Sequence, residues 1–243
     1  MPCVLLALAP ARAAEEPAII AKARAYVATE AALQGVSSIR FVGTLAMADP
    51  SDATKQKHVK IDVVFAKPDR QLMRMTFPEG IETTGLDGME AWQHVQDPAN
   101  PKRQRLTILP AARLRRLRAE TWENLFYFRG LEQAGGTLED DGTFTVDGVA
   151  CRKFNFIHAP NIIFRRYFDA ATGRLVITET EDGRLIREEG EQVVQGVRFP
   201  TKVTTFSKDE AGNVQEVVLT FDKITLNETL PPKYFAVPPI PPP

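Results

Sequence analysis

The chain has 243 residues, 44% of them hydrophobic and 25% charged, with a formal net charge of −1. That length and balance suit one globular domain with a sizeable core. A near-neutral chain offers no overall field to attract nucleic acid or an anionic membrane, and no apolar run is long enough to span a bilayer.

In chain order, Val4–Ala9 (VLLALA) and the small residues after it resemble the apolar region and cleavage site of a secretory signal. No Lys or Arg precedes the run, so residues 1–14 are read as a partial signal peptide, and export is expected. Cys3 would leave with that segment. Cys151 is then alone and reads as a small buried apolar residue.

Glu15 to Gly35 predicts one amphipathic helix, with Ile20, Ala23, Val27 and Ala31 on a stripe and Gly35 as its C-terminal cap. Ser38–Met47 predicts a strand and Asp49–Gln56 a polar loop. Val59, Ile61, Val63 and Phe65 then alternate with Lys60, Asp62, Val64 and Ala66, as a half-buried strand requires. Met73, Met75 and Phe77 share one face of the next strand. The Asp87-Gly88 turn supplies positive φ for a hairpin and delivers Trp92 to a strand over Ala91–Val95. Another strand is expected over Arg103–Leu109.

Pro110–Arg129 predicts a second helix of unusual pattern. Leu114, Leu117, Thr121, Leu125 and Phe128 form a stripe, yet Trp122 and Phe126 lie well round the cylinder. Apolar residues on two sides suit a helix lying across a cavity or one buried under a loop. Around its start cluster Lys102, Arg103, Arg105, Arg113, Arg115, Arg116 and Arg118. They read either as a solvated face neutralised by Glu120 and Glu123 or as a docking patch for an acidic partner or lipid headgroups.

From Thr137 onward, strands alternate with turn signals such as Asp147-Gly148 and Asp182-Gly183. Strands are expected over Val149–Ile157, Ile162–Phe168, Arg174–Thr180, Arg184–Val194, Arg198–Ser207 and Val214–Leu226. In the last, Val217, Leu219 and Phe221 have one parity and Ile224 and Leu226 the other, which predicts a bulge near Asp222 and Lys223. Roughly eleven strands are too many for a flat open sheet, so the sheet should curl around something. Residues 15–236 are read as the domain and 237–243 as a Pro-rich tail.

A search for chemistry yields no catalytic constellation. His58, His94 and His158 are scattered, and none has a second ligand at metal spacing on its own element. No nucleophile elbow, phosphate-cradling glycine loop or HExxH is present. Glu188-Glu189 and Asp140-Asp141 read as surface charge. No enzyme, metal or cofactor is expected. The surplus of strand-face aromatics, within 14 Phe in all, fits either a solid core or an apolar ligand cavity under a helix.

The order and spacing of several motifs resemble the Lol-type superfamily of periplasmic lipoprotein carriers and receptors. They are a leading helix into Phe41-x-Gly43, Phe65-Ala66-Lys67-Pro68 followed by Leu72-x-Arg74, Asp87-Gly88 before Trp92, Gly196-x-x-Phe199-Pro200, and Phe235-x-x-Pro238. The resemblance implies a mainly β (α+β) fold, an unclosed antiparallel half-barrel whose concave apolar face lies under a helical lid and takes acyl chains of a lipoprotein or another lipid. Carried onto this chain, the lining would be Phe41, Leu45, Val63, Phe65, Met73, Met75 and Trp92, with Leu117, Trp122 and Phe126 from the lid.

Carriers of this kind usually have Arg before the proline, where it holds the lid. Lys67 stands there in this chain and lacks the planar fork of donors. The longer, strand-rich C-terminal half also departs from the compact carrier. The expected function is a periplasmic acyl-chain carrier without enzymatic activity, working toward the outer membrane. The alternative is an envelope interaction or stress-sensor module that binds a protein partner through Arg113, Arg115, Arg116 and Arg118.

Overall fold

The computed structural model describes residues 16–49, 52–100, 102–209 and 211–239; the signal-like segment, Cys3 and the last four residues of the tail lie outside them. The helix expected over 15–35 is two helices, α1 (Ala18–Val27) and α2 (Glu30–Gly35). Ala28 between them is fully extended, at φ −170° and ψ 178°. Thr29 causes the break: its hydroxyl accepts from the Ala32 amide at 3.3 Å and caps the second helix. Gly35 is not a left-handed cap, because the chain leaves the helix through Val36 at φ −77°.

The first half of the chain continues as a six-strand meander: β1 (Ser38–Asp49), β2 (Asp52–Ala66), β3 (Arg70–Phe77), β4 (Gly80–Asp87), β5 (Glu90–Gln96) and β6 (Gln104–Ile108). The loop expected over 49–56 is instead the far end of the long β1–β2 hairpin, in which Asp49 faces Asp52. Polar composition misled there, since an exposed hairpin end needs no apolar face. At the β4–β5 turn, positive φ falls on Gly88 (61°), while Asp87 still pairs with Glu90.

Helix α3 (Ala111–Leu125) follows, and then a second meander: β7 (Thr137–Val146), β8 (Val149–Ala159), β9 (Ile162–Asp169), β10 (Leu175–Thr180), β11 (Leu185–Glu189), β12 (Gln192–Val194), β13 (Val197–Phe199), β14 (Lys202–Lys208) and β15 (Val214–Leu226). Two expected strands, over 184–194 and 198–207, are each split. Gly190 at φ 69° and Pro200, which has no amide hydrogen, interrupt the ladder, so β12 and β13 form a separate hairpin.

The remaining thirteen strands make one antiparallel sheet, in the order β6-β5-β4-β3-β2-β1-β15-β14-β11-β10-β9-β8-β7. It is an unclosed half-barrel with β6 and β7 at its two edges, and the two strands beyond the roughly eleven expected are β4 and β7, for which the sequence reading gave no range. The two meanders meet at β1–β15, where Val42 faces Lys223 and Gly43 faces Phe221, leaving Asp222 as the extra residue of the expected bulge. A Cβ at Gly43 would stand 2.1 Å from the Thr220 carbonyl oxygen, so the approach there requires glycine.

This order fixes the role of α3. It leaves the sheet at one edge, after β6, and the chain rejoins at the opposite edge in β7, so the helix crosses the concave face. On one side Leu117 packs against Leu86 and Ala91, and Thr121 donates to Gln71 Oε1 at 3.2 Å. On the other, Trp122 joins Phe154, Phe156, Phe164 and Phe168 in a second core. Apolar residues on two sides of the helix thus serve two walls of one half-barrel.

Candidate functional site

Beneath α3 lies a hollow of about 860 Å³. Its first wall is apolar and comes from the centre of the sheet: Phe41, Ile61, Val63, Phe65, Met73 and Phe221 all line it. Cross-strand register explains the grouping. Phe41 faces Val63, which faces Met73, and Phe65 faces Gln71, so one parity of β1, β2 and β3 points inward together. The Phe41 ring packs against Phe65, Phe199 and Phe221 at centroid distances of 6.2, 5.9 and 4.9 Å, which holds that wall rigid.

The opposite wall is polar. Arg166 sits between Thr178 on β10 and Phe154 on β8 in the register and is 7% exposed. Its guanidinium lies over the rings of Phe128 and Phe156, at 4.8 and 4.9 Å. Glu123 from α3 forms an ion pair with Arg166 and meets His158 Nε2 at 2.6 Å. Arg116, also from α3, reaches Glu181 at 2.5 Å and Glu120 at 3.1 Å. These charges clamp the lid to the second meander.

Four of the predicted lining residues, Phe41, Val63, Phe65 and Met73, meet in this hollow. Leu45 and Met75 share their face, by the pairs Leu45–Val59 and Ile61–Met75, but stand further along the strands and outside its lining. Leu117 does not line it either: it is fully buried between α3 and the sheet.

Trp92 is on the wrong face. It pairs with Gly85, which pairs with Leu72, which pairs with Val64, and that parity is convex. Its indole covers Gly85, where a Cβ would stand 2.2 Å from Cε2, and Nε1 donates to the Phe235 carbonyl at 3.0 Å. The C-terminal segment buries it, together with a small outer cluster of Val64, Ala66 and Phe235. The Phe235-x-x-Pro238 motif is therefore a cover for the back of the sheet.

Trp122 and Phe126 line a second, separate cleft of about 630 Å³ on the other side of α3. They stack at 5.7 Å with an interplanar angle of 4°. Lys67 lines the same cleft, its Nζ 5.4 Å over the Phe126 ring. Burial, and then the positive charge of Arg24, hold its ammonium below the usual lysine range. A lysine thus contacts the end of the lid at this position, through a ring face instead of a fork of hydrogen bonds.

The basic cluster divides. Arg116 turns inward, Arg118 pairs with Asp69 at 3.2 Å, and Arg113 stands 3.9 Å from Glu120. Arg115 lines the second cleft with no carboxylate within 4 Å among the described residues. Glu123 does not neutralise this face, because Arg166 and His158 hold it.

The sequence reading missed Arg166, Tyr127 and Glu188. In the sequence the Glu188-Glu189 pair reads as surface charge; Glu189 pairs with Lys202 at 2.8 Å. Glu188 faces Val203, which faces Leu219, so it points into the hollow. The signal was parity: Glu188 shares a face with Ile186, and Arg166 with Phe164 and Phe168. Among the described residues no group of three His, Cys, Asp or Glu side chains could hold a metal ion. Cys151 is fully buried and free, and burial pushes its thiol up.

A half-barrel of this order, with a helix across a partly apolar hollow, is the Lol-type fold. Among solved structures the chain is similar to a LolA superfamily protein from Nitrosomonas europaea, at TM-score 0.59 and 14% identity over 90% of this chain and 96% of the other. It is similar too to a domain from Vibrio parahaemolyticus described as outer membrane lipoprotein-sorting, at TM-score 0.57 and 10% identity over 89% and 94%. A DUF1329 family protein from Desulfovibrio piger matches at TM-score 0.57 and 11% identity over 90% and 95%. At these identities the likeness is one of fold. No family model and no curated protein matches the sequence.

Proposed function

We propose that the protein is an exported carrier that shields the hydrocarbon of an amphiphile, a lipoprotein's acyl chains or another lipid, in the hollow beneath α3. One observation carries this: the hollow has about 860 Å³ and its central wall is built from Phe41, Val63, Phe65 and Met73. A volume of that size lies within the ~300–1,000 Å³ of small-ligand sites. Each methylene moved from water to such a wall contributes roughly 0.8 kcal/mol. The fold-level likeness to a LolA superfamily protein and to a lipoprotein-sorting domain supports the reading. Binding, not catalysis, is the activity proposed.

The test is titration of the full chain with an environment-sensitive fluorescent fatty acid. The wild type should bind it, and Met73→Trp, which fills the wall, should weaken binding about tenfold or more, the loss of a few methylene contacts. Equal binding by M73W, or none by the wild type, would sink the proposal.

A second reading, an envelope interaction module with an acidic partner, has one observation in its favour: Lys67 and Arg115 in the second cleft have no carboxylate within 4 Å among the described residues. Charge reversal at Arg115 and Arg118 should abolish capture of such a partner while leaving fatty-acid binding intact.

A further inference from the structure

The polar wall of the hollow contains one carboxylate that the fold leaves without a counter-ion. The other acids lining it each have a cation at hand: Glu120 has Arg116 at 3.1 Å, Glu123 has Arg166, Glu189 has Lys202 at 2.8 Å and Glu191 has Arg198 at 2.5 Å. Among the described residues Glu188 makes no ion pair and no hydrogen bond; it feels only the charge of Arg166, which Glu123 already engages. Its side chain keeps surface that water can reach, but that surface belongs to the hollow. The residue is exposed to solvent there, and desolvation by the walls around it moves its pKa upward.

Two further groups on the same lining lack partners. The Tyr127 hydroxyl and Arg166 Nε have no hydrogen bond among the described residues, and both side chains are more than nine-tenths buried, at 8% and 7% exposure. Unpaired buried donors and acceptors are rare in folded proteins and call for an explanation. A purely hydrocarbon cargo would leave all three groups unmet. A cargo whose polar end stays inside would meet them, and the sign of the uncompensated charge selects that end.

We infer that the cargo of the hollow is an amine-bearing amphiphile, its ammonium held by Glu188 and its chain laid along the wall of Phe41, Val63 and Met73. The inference rests on the carrier reading and deepens it. Register supplies the reach: Glu188 faces Val203, and Val203 faces Leu219 on the strand next to β1. The carboxylate therefore stands where the polar wall borders the apolar one. An ammonium there would form a charge-assisted hydrogen bond, with neighbouring hydroxyl or amide groups of the head positioned for Tyr127 and Arg166.

Dodecylamine, dodecanol and dodecanoate share one chain and differ in head charge, so their displacement of a fluorescent fatty acid from the full chain near neutral pH separates the contributions. The wild type should bind the amine about tenfold or more tighter than the alcohol, and dodecanoate weakest. Glu188→Gln, which keeps the shape and removes the charge, should bring amine and alcohol to the same affinity. Glu139→Gln, an exposed acid on β7 outside the lining, should leave the preference intact. Equal binding of amine and alcohol by the wild type, or a preference that survives E188Q, would overturn the inference while leaving the carrier reading in place. Failure of every amphiphile to bind would overturn both.

Discussion

Arg24 Nη1 donates to the backbone carbonyl of Tyr127 at 2.6 Å and ties the first helix to the C-terminal end of the lid. It also reaches the Phe126 carbonyl at 3.1 Å, while Nε and Nη2 bind both oxygens of Glu30 at 2.8 and 2.7 Å. The last carbonyls of a helix have no partner within it. Here Tyr127 and Phe128 turn into the left-handed region, at φ 49° and 71°, and the guanidinium caps the open end. Arg24→Met should destabilise the protein by about 2–3 kcal/mol, since hydrogen bonds to a charged group contribute ~1.5–3 kcal/mol. Arg24→Lys should recover only part, because an ammonium lacks the fork. Urea unfolding midpoints check both.

The lid's other clamp is Glu123 with Arg166, whose side chains are 5% and 8% exposed. Glu123→Ala would strand a guanidinium in the aromatic wall, and breaking such a buried pair costs ~3–5 kcal/mol. The double variant E123L/R166M should be less destabilised than E123A alone. A double variant that is worse than E123A would show that the pair contributes beyond mutual compensation. Chemical denaturation of the three proteins decides.

Trp92 separates packing from binding. Trp92→Phe loses the hydrogen bond to Phe235 and should lower stability by about 1 kcal/mol. Gly85→Ala should cost more, since its Cβ meets the indole at 2.2 Å. Neither change touches the hollow, so fatty-acid affinity at a temperature where both are folded should match the wild type. A large loss of affinity in W92F would return Trp92 to the binding wall.

Glu188 gives a pH dependence with a defined sign. Its folded pKa is raised, so between the unfolded and folded values the native state holds more protons, and stability falls as pH rises through that window. Below the unfolded value, near ~4.3, the contribution is fully favourable. Glu188→Gln should therefore raise the thermal midpoint at neutral pH, with the gain shrinking as pH falls toward that value. A constant difference across the range would show that Glu188 titrates alike in the folded and unfolded states. A carboxylate that lowers stability where it stands is the pattern expected of a group kept for binding.

Alternation by itself determined most of the fold. Period-two runs from Val59 to Phe65 and from Met73 to Phe77, turn residues such as Asp147-Gly148, and the parity change across Asp222 fixed strands, neighbours and a bulge, because those signals are local. The same parity put Phe41, Val63, Phe65 and Met73 on one wall. Local signals could not say which of the two faces is concave at Trp92, since a chain end over a hundred residues away covers it. Nor could they distinguish Glu188 from Glu189, two adjacent identical acids of which one meets Lys202 and the other faces the hollow without a counter-ion. The break at Ala28-Thr29 and the inward turn of Arg116 belong to the same class. Each was decided by what the sheet's curvature brought opposite: α3 crosses from β6 at one edge to β7 at the other, and only that crossing makes one face an interior.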